Sequence, residues 1–242
     1  MSAQMWAAQA EHFKDRFQVV LIDPPGHGDS EALQRTFTFE ECARCIEQIL
    51  DALNITRAHF VGNSWGGMIG GTFVALHPDR VGAAVLMNCT GSAAGLRQKI
   101  EYAVLVRLVR TLGGIPPWLS FLPLRAFAGP TTEHERPEVI LAIREAVARV
   151  NGRSVHWAIR SVVPKRPSQI DLFRTIRTPV LVLAGAEDRT FPVEETRAMA
   201  AAIPGAEFRV VTGVAHLAGL ECPRIVDEII DDFLSRAQLP AG

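Results

Sequence analysis

Three side chains distant in sequence have the types that together cleave carbonyl compounds: Ser64, Asp188 and His216. Ser64 lies in Gly62-Asn63-Ser64-Trp65-Gly66, between the short apolar run 58–61 and an apolar stretch that reaches Leu76. A serine on a tight strand-to-helix turn presents its hydroxyl outward, and such a turn needs glycine where a Cβ would clash. Gly62 and Gly66 fill the flanking places, and Gly67 extends the room. The Trp65 backbone N–H then leads a helix and points at a developing oxyanion.

A hydroxyl is a weak nucleophile until a base removes its proton. Among seven histidines, His216 follows the apolar run 208–211 through a glycine-containing loop and precedes the last helix. That puts it beyond the carboxyl end of a strand, where parallel sheets place their sites. His27 is the rival, in a glycine-rich loop after another apolar run; His77 reads as a helix end, and His12, His59, His134 and His156 have no such placement. The base needs a carboxylate to orient it. Asp188 stands in Gly185-Ala186-Glu187-Asp188-Arg189, after the run 179–184, with its neighbour Glu187 as the alternative.

These residues require a sheet whose strand ends converge. The runs 17–22 (FQVVLI), 58–61, 81–87, 179–184 (PVLVLA) and 208–211 read as strands. Thr38-Phe39-Glu40-Glu41 is a capping box, and Cys42, Ile46, Ile49, Leu50 and Leu53 follow on one helical face. Further helices are expected after Ser64 up to Pro78, over 193–203, and over 223–234 with Pro223 in the first turn. Apolar strands alternating with helices predict an α/β fold, a mostly parallel sheet covered on both faces. Residues 91–178 break the alternation with amphipathic stretches at 96–112, 137–150 and 154–163, punctuated by prolines. The expected organisation is a core of 1–90 and 179–242 with a helical cap insertion, 91–178, over one end of the sheet.

Composition narrows the function further. A hydrophobic share of 48% with 21% charged residues is that of a soluble chain with a sizeable core. The formal net charge of -1 supplies no overall basic field for nucleic acid or anionic lipid. No apolar run approaches the ~20 residues of a membrane helix, and the N-terminus does not read as a signal peptide. The expectation is a cytoplasmic protein with a small-molecule substrate and neither a nucleic-acid nor a membrane partner. Cys42 and Cys45 form a Cys-x-x-Cys pair inside a helix, without a second pair to complete a zinc site. With Cys89 and Cys222 they read as small buried apolar residues. No metal and no organic cofactor is expected, because a serine, a histidine and a carboxylate supply nucleophile, base and electrostatics themselves.

Taken together, the motifs resemble the α/β-hydrolase superfamily. Asp23-Pro24-Pro25-Gly26-His27-Gly28-Asp29-Ser30 is similar to the Asp-x-x-Gly-x-Gly-x-Ser turn that comes after a sheet strand there. His77-Pro78-Asp79-Arg80-Val81 resembles the segment after the nucleophile helix, and 185–192 and Ala215-His216 with Glu221 and Pro223 resemble the acid and histidine loops. The resemblance implies a capped α/β-hydrolase fold, the nucleophile–acid–base order Ser64, Asp188, His216, and a structural turn for His27. Asn88-Cys89-Thr90 offers no carboxylate for the variant acid position. The family begins with further strands, the last ending in a His-Gly loop that donates a second oxyanion N–H. Here Met1-Ser2-Ala3-Gln4-Met5-Trp6 resembles the stretch just after that loop. An N-terminally shortened form is therefore expected, in which the runs 17–22 and 58–61 face a gap with unpaired backbone groups. Such a chain is expected to be weakly active or poorly stable, since losing one oxyanion donor costs about 10²–10³ in turnover.

A serine nucleophile argues against the aspartate-dependent dehalogenases and epoxide hydrolases of the superfamily. The expected reaction is cleavage of a small-molecule ester or lactone through an acyl-enzyme. Leu217 after His216, with Glu221 nearby, resembles the enol-lactone hydrolase and small carboxylesterase branch. The alternatives are a C–C bond hydrolase of ring-cleavage products, and a ligand-binding homologue that does no chemistry. The C–C group has a similar elbow but tends to carry tryptophan directly after the histidine. Trp118, Trp157 and Arg160 of the insertion, with Arg153, are candidate contacts for an acidic substrate.

Overall fold

A computed structural model describes residues 2–237 of the chain. Met1 and residues 238–242, which the expected core boundaries include, lie outside the described residues. Four strands, β1 (Ala58–Asn63), β2 (Val81–Met87), β3 (Val180–Gly185) and β4 (Glu207–Val211), form one parallel sheet in the order β1-β2-β3-β4. The central strands are buried along their whole length, so they carry apolar residues on both faces. Alternation then divides them: Ala84, Leu86 and Val182 join one core, while Ala83, Val85, Met87, Leu181 and Leu183 join the other.

Helices cover both faces. The first core is closed by α2 (Phe39–Ala52), α3 (Trp65–Leu76) and α10 (Val193–Ala202), through Ile46, Met68, Phe73 and Met199. The second is closed by α1 (Ala7–Phe13) and α12 (Pro223–Arg236), through Phe13, Val226, Ile230 and Phe233. The capping box that opens α2 forms as the sequence predicts, with Glu41 N–H donating to Thr38 Oγ1 (3.1 Å) and Thr38 N–H to Glu41 Oε2 (2.9 Å). Cys42 packs inside this core, and burial pushes its thiol pKa up to about 12. Cys45, expected to be buried, is exposed.

Between β2 and β3 the chain runs through α4 (Leu96–Leu112), α5 (Phe121–Phe127), α6 (Pro130–Glu135), α7 (Pro137–Ala148), α8 (Gly152–Val162) and α9 (Ile170–Phe173). Helix α7 builds a separate apolar cluster in which Val139, Ile143 and Val147 meet Leu217, next to His216. Helix α9 returns to the sheet, where Phe173 occupies the space a side chain at Gly71 would need. The short α11 (Ala218–Glu221) comes after the histidine loop.

One expected strand does not form. Residues 17–22 run without ladder pairing, and Phe17, Val19, Leu21 and Ile22 are all exposed. An apolar run becomes a strand only when a neighbouring strand accepts its N–H and C=O groups. Here a cavity of about 1530 Å³ lies between this segment and β1, lined by residues of both. Ile46 and Ile49 of α2 and Ile230 of α12 also line it. Among the described residues β1 pairs with β2 alone.

Candidate active site

Ser64 stands between the end of β1 and the start of α3, with φ 55° and ψ -117°. A positive φ is costly for a side-chain-bearing residue, so the surroundings must hold it there. The Ser64 N–H donates to Met87 O at the end of β2 (2.8 Å), and the Met68 N–H to Ser64 O (3.0 Å). The two flanking glycines differ in need. A Cβ at Gly62 would come within 2.4 Å of Gly66 O, whereas one at Gly66 would meet nothing within 4 Å. The second position that truly needs glycine is Gly67, where a Cβ would strike Cys89 Sγ at 2.5 Å. Trp65 opens α3, so its N–H has no partner within the helix.

The Ser64 Oγ lies 2.9 Å from His216 Nε2, and His216 Nδ1 lies 2.9 Å from Asp188 Oδ2. His216 and Asp188 are both buried. Asp188 also accepts from the backbone N–H groups of Thr190 (2.8 Å) and Phe191 (3.1 Å) through Oδ1, which fixes the plane of the carboxylate. Phe127 stacks on the imidazole with ring centroids 5.5 Å apart and planes 12° from parallel. Glu187, the alternative acid, faces elsewhere: its carboxylate accepts from Thr131 N–H (2.9 Å) and Thr131 Oγ1 (2.5 Å), tying this loop to α6.

Three polar residues to which sequence reasoning assigned no role hold the histidine loop. Asn63 Nδ2 and Asn88 Nδ2 each donate to His216 O at 2.9 Å. Asn88 Oδ1 accepts from Gly185 N–H (2.7 Å), so one side chain joins the ends of β2 and β3 to the loop. Glu221 accepts from the N–H groups of Ala215 (3.0 Å) and Leu217 (2.8 Å), on either side of the histidine, and from the Thr132 hydroxyl. The available signal was a polar side chain directly after an apolar strand, as at Asn88, since such a residue is buried and must be satisfied.

His27 does not join this line. Its Nδ1–H donates to Pro25 O (3.1 Å), and its ring meets the Trp65 ring edge-on at 5.1 Å. Burial lowers its pKa from 6.5 to about 4, so it is a neutral wall of the cavity. The surrounding turn is organised by Asp23, which accepts from Ala3 N–H (2.6 Å) and Asp29 N–H (2.9 Å).

Ser64 and His216 open into the same cavity that separates residues 17–22 from β1. The insertion contributes an apolar wall that includes Leu105, Leu108, Leu119, Pro123 and Phe127. Of the expected substrate contacts, Trp118, Trp157 and Arg160 do not line this cavity. On α8 the residues turned to the cavity are Val155 and Ile159, continued by Val163 just after the helix, at four-residue spacing, and Trp157 and Arg160 fall off that stripe. They pair with each other instead, the guanidinium 5.9 Å over the indole, and Arg153 is exposed. Trp118 points outward from a turn whose Leu119 faces in. Among the described residues no cluster of three or more His, Cys, Asp or Glu could hold a metal ion, and no helix is long and apolar enough to cross a membrane.

Comparison with known proteins agrees with this architecture. A family model described as alpha/beta hydrolase fold matches residues 1–223. A 2-hydroxy-6-oxononadienedioate/2-hydroxy-6-oxononatrienedioate hydrolase of Paraburkholderia phymatum is 29% identical over 226 residues, covering 91% of this chain and 77% of its own. The 3-oxoadipate enol-lactonase 2 of Acinetobacter baylyi is 25% identical, covering 96% of this chain and 84% of its own. A thermophilic esterase from Thermogutta terrifontis superposes with a TM-score of 0.91 at 27% identity, covering 99% of this chain and 87% of that one. With this sheet, this elbow and a match over most of its length, the chain belongs to the alpha/beta hydrolase fold family.

Proposed function

We propose that the protein hydrolyses a small, largely apolar carboxylic ester or lactone through an acyl-enzyme on Ser64. The observation that carries this reading is the unbroken line Ser64 Oγ–His216 Nε2–His216 Nδ1–Asp188 Oδ2, with both links at 2.9 Å. Asp188 accepts from Nδ1–H and so leaves Nε2 free to take the serine proton. Ser64 Oγ attacks the carbonyl carbon, His216 receives the proton, and the Trp65 N–H donates to the carbonyl oxygen as it gains charge. His216 then protonates the departing alkoxide. Water, deprotonated by the same imidazole, releases the acid and restores Ser64.

The cavity favours a neutral ester over a dicarboxylate. Its basic lining residues among the described ones, histidines aside, are Arg35 and Arg57. Arg35 pairs with Glu41 at 2.9 Å. Arg57 precedes β1 whereas Ser64 comes after it, a separation of about 20 Å at ~3.3 Å per residue. Neither is placed to hold an acidic group beside the nucleophile.

The test is turnover of p-nitrophenyl acetate against a vinylogous 1,5-diketone acid, with fluorophosphonate labelling alongside. Ester turnover and a Ser64-dependent adduct are expected. Faster cleavage of the diketone acid would replace the ester reading with carbon–carbon hydrolysis, and no adduct would leave a binding protein.

A further inference from the structure

Helix α4 and the turn at 118–122 carry large apolar side chains that are exposed. Helix α4 buries one residue, Val109. Leu96, Ile100 and Val104, four residues apart and therefore on one stripe, are exposed. Just beyond the helix Trp118, Phe121 and Leu122 are exposed too, with Leu96 at 76% and Trp118 at 66%. Single exposed apolar residues are ordinary on a folded protein, whereas several large ones along one helical stripe and the turn that follows the helix mark an interaction surface.

Basic groups frame the stripe. Arg97, Arg107, Arg110 and Arg125 are exposed, and Lys99 is half-buried. The one acidic residue of segment 91–129, Glu101, is paired with Arg97 at 2.7 Å. The average net charge of -1, from which no lipid partner is expected, conceals this segregation. Trp118 adds an amphipathic ring of the kind enriched at the headgroup level of bilayers. Val104 and Leu122 belong both to the exposed patch and to the wall of the cavity that holds Ser64, so the two are continuous.

We propose that the outer face of α4 and the 118–122 turn docks on an anionic lipid surface. The apolar stripe enters the boundary between headgroups and acyl chains, and the arginines pair with lipid phosphates, as amphipathic interfacial helices do. Attachment of this kind is peripheral and weakens as salt screens the charges.

Co-sedimentation of the full chain with vesicles of phosphatidylglycerol and phosphatidylcholine, against phosphatidylcholine alone, tests this. Retention on the anionic vesicles at low salt is expected, with release at high salt and a tryptophan emission shift that Trp118→Phe removes. Ile100→Ser combined with Phe121→Ser abolishes retention. Arg107→Gln combined with Arg110→Gln weakens it on the order of thirtyfold, from about 1 kcal/mol per basic residue near such a surface. The arginine pair is exposed and leaves the core intact, so it reads the surface even if the apolar pair unfolds the chain. Absence of retention, equal retention on neutral vesicles, or arginine variants that bind like the parent overturns the proposal. A dimer in lipid-free buffer that Ile100→Ser dissolves also overturns it and assigns the face to a second copy. Retention needs no turnover, so vesicle binding by Ser64→Ala separates this proposal from the reading of the reaction.

Discussion

The carboxyl ends of the strands and the outer edge of β1 lie within one sheet, yet they are built in opposite ways. At the strand ends, each group around the imidazole is matched. Asp188 takes three hydrogen bonds, His216 O takes two from Asn63 and Asn88, and Glu221 braces the backbone on both sides of the histidine. At the outer edge of β1, no described strand pairs, His59 Nδ1 is buried without a partner, and the apolar residues of 17–22 stand exposed beside a cavity. The triad geometry is thus anchored to the interior strands β2 and β3 through Asn88. Ser64 and Asn63, by contrast, stand at the end of β1 itself, so the edge strand carries the serine while the interior strands hold the histidine loop.

The largest effect is expected at the proposed nucleophile. Ser64→Ala is expected to lower kcat on p-nitrophenyl acetate by about 10⁶, as loss of a triad serine does elsewhere, with the melting temperature nearly unchanged. A residual rate within tenfold of the parent would break the claim that the ordered region carries the chemistry. Next is the brace. Asn88 has φ 48°, which glycine adopts without strain, so Asn88→Gly removes the side-chain bonds without straining the backbone. Leaving Gly185 N–H unsatisfied in the buried interior is expected to cost about 1–3 kcal/mol, read by denaturant titration. A fall in kcat exceeding the change in KM would show that His216 has moved.

His27 joins the two regions, coming just after the unpaired segment and touching Trp65 of the elbow. Its pKa is depressed by burial from 6.5 to about 4, so between these values the unfolded chain binds the proton more readily than the folded one. That stability is complete above pH 6.5 and is lost as pH falls toward 4. Melting temperatures of His27→Phe measured across this window should fall less steeply than those of the parent. Identical slopes would show that the turn is solvated. The smallest effect sharpens the contrast from the other side. Ile49→Phe adds volume facing the cavity and is expected to stabilise by roughly 0.5–1 kcal/mol, where the same enlargement in a closed core costs about 1–3 kcal/mol. Destabilisation by Ile49→Phe would mean that the gap beside β1 is already filled.

Much of the ordered region was legible in the residues. Strand-to-helix punctuation located the elbow, the Thr38–Glu41 capping box placed the start of α2, and the two loops after apolar runs singled out His216 and Asp188. Each is a short-range signal, in which the residues that make the feature sit within a few positions of one another. The brace was harder to see. Asn88 acts on a loop 128 residues away, and both it and Glu221 act through backbone groups that look alike in any sequence.

By itself the sequence determined the types and order of the three residues proposed to react, the periodicity of the helices and four of the strands, since these depend on local spacing. Tertiary structure supplied the reason Asp188, rather than its alternative Glu187, faces the imidazole: Glu187 is drawn to Thr131 of a distant helix. It also decided that Val155 and Ile159 line the cavity while Trp157 and Arg160 do not. The run 17–22 is expected both as a strand and as facing a gap beside 58–61; a cavity lies there, and the run stays outside the sheet. An apolar run has the composition of a buried strand wherever it occurs, but a strand exists only where another strand completes its hydrogen bonds, and composition carries no record of that neighbour.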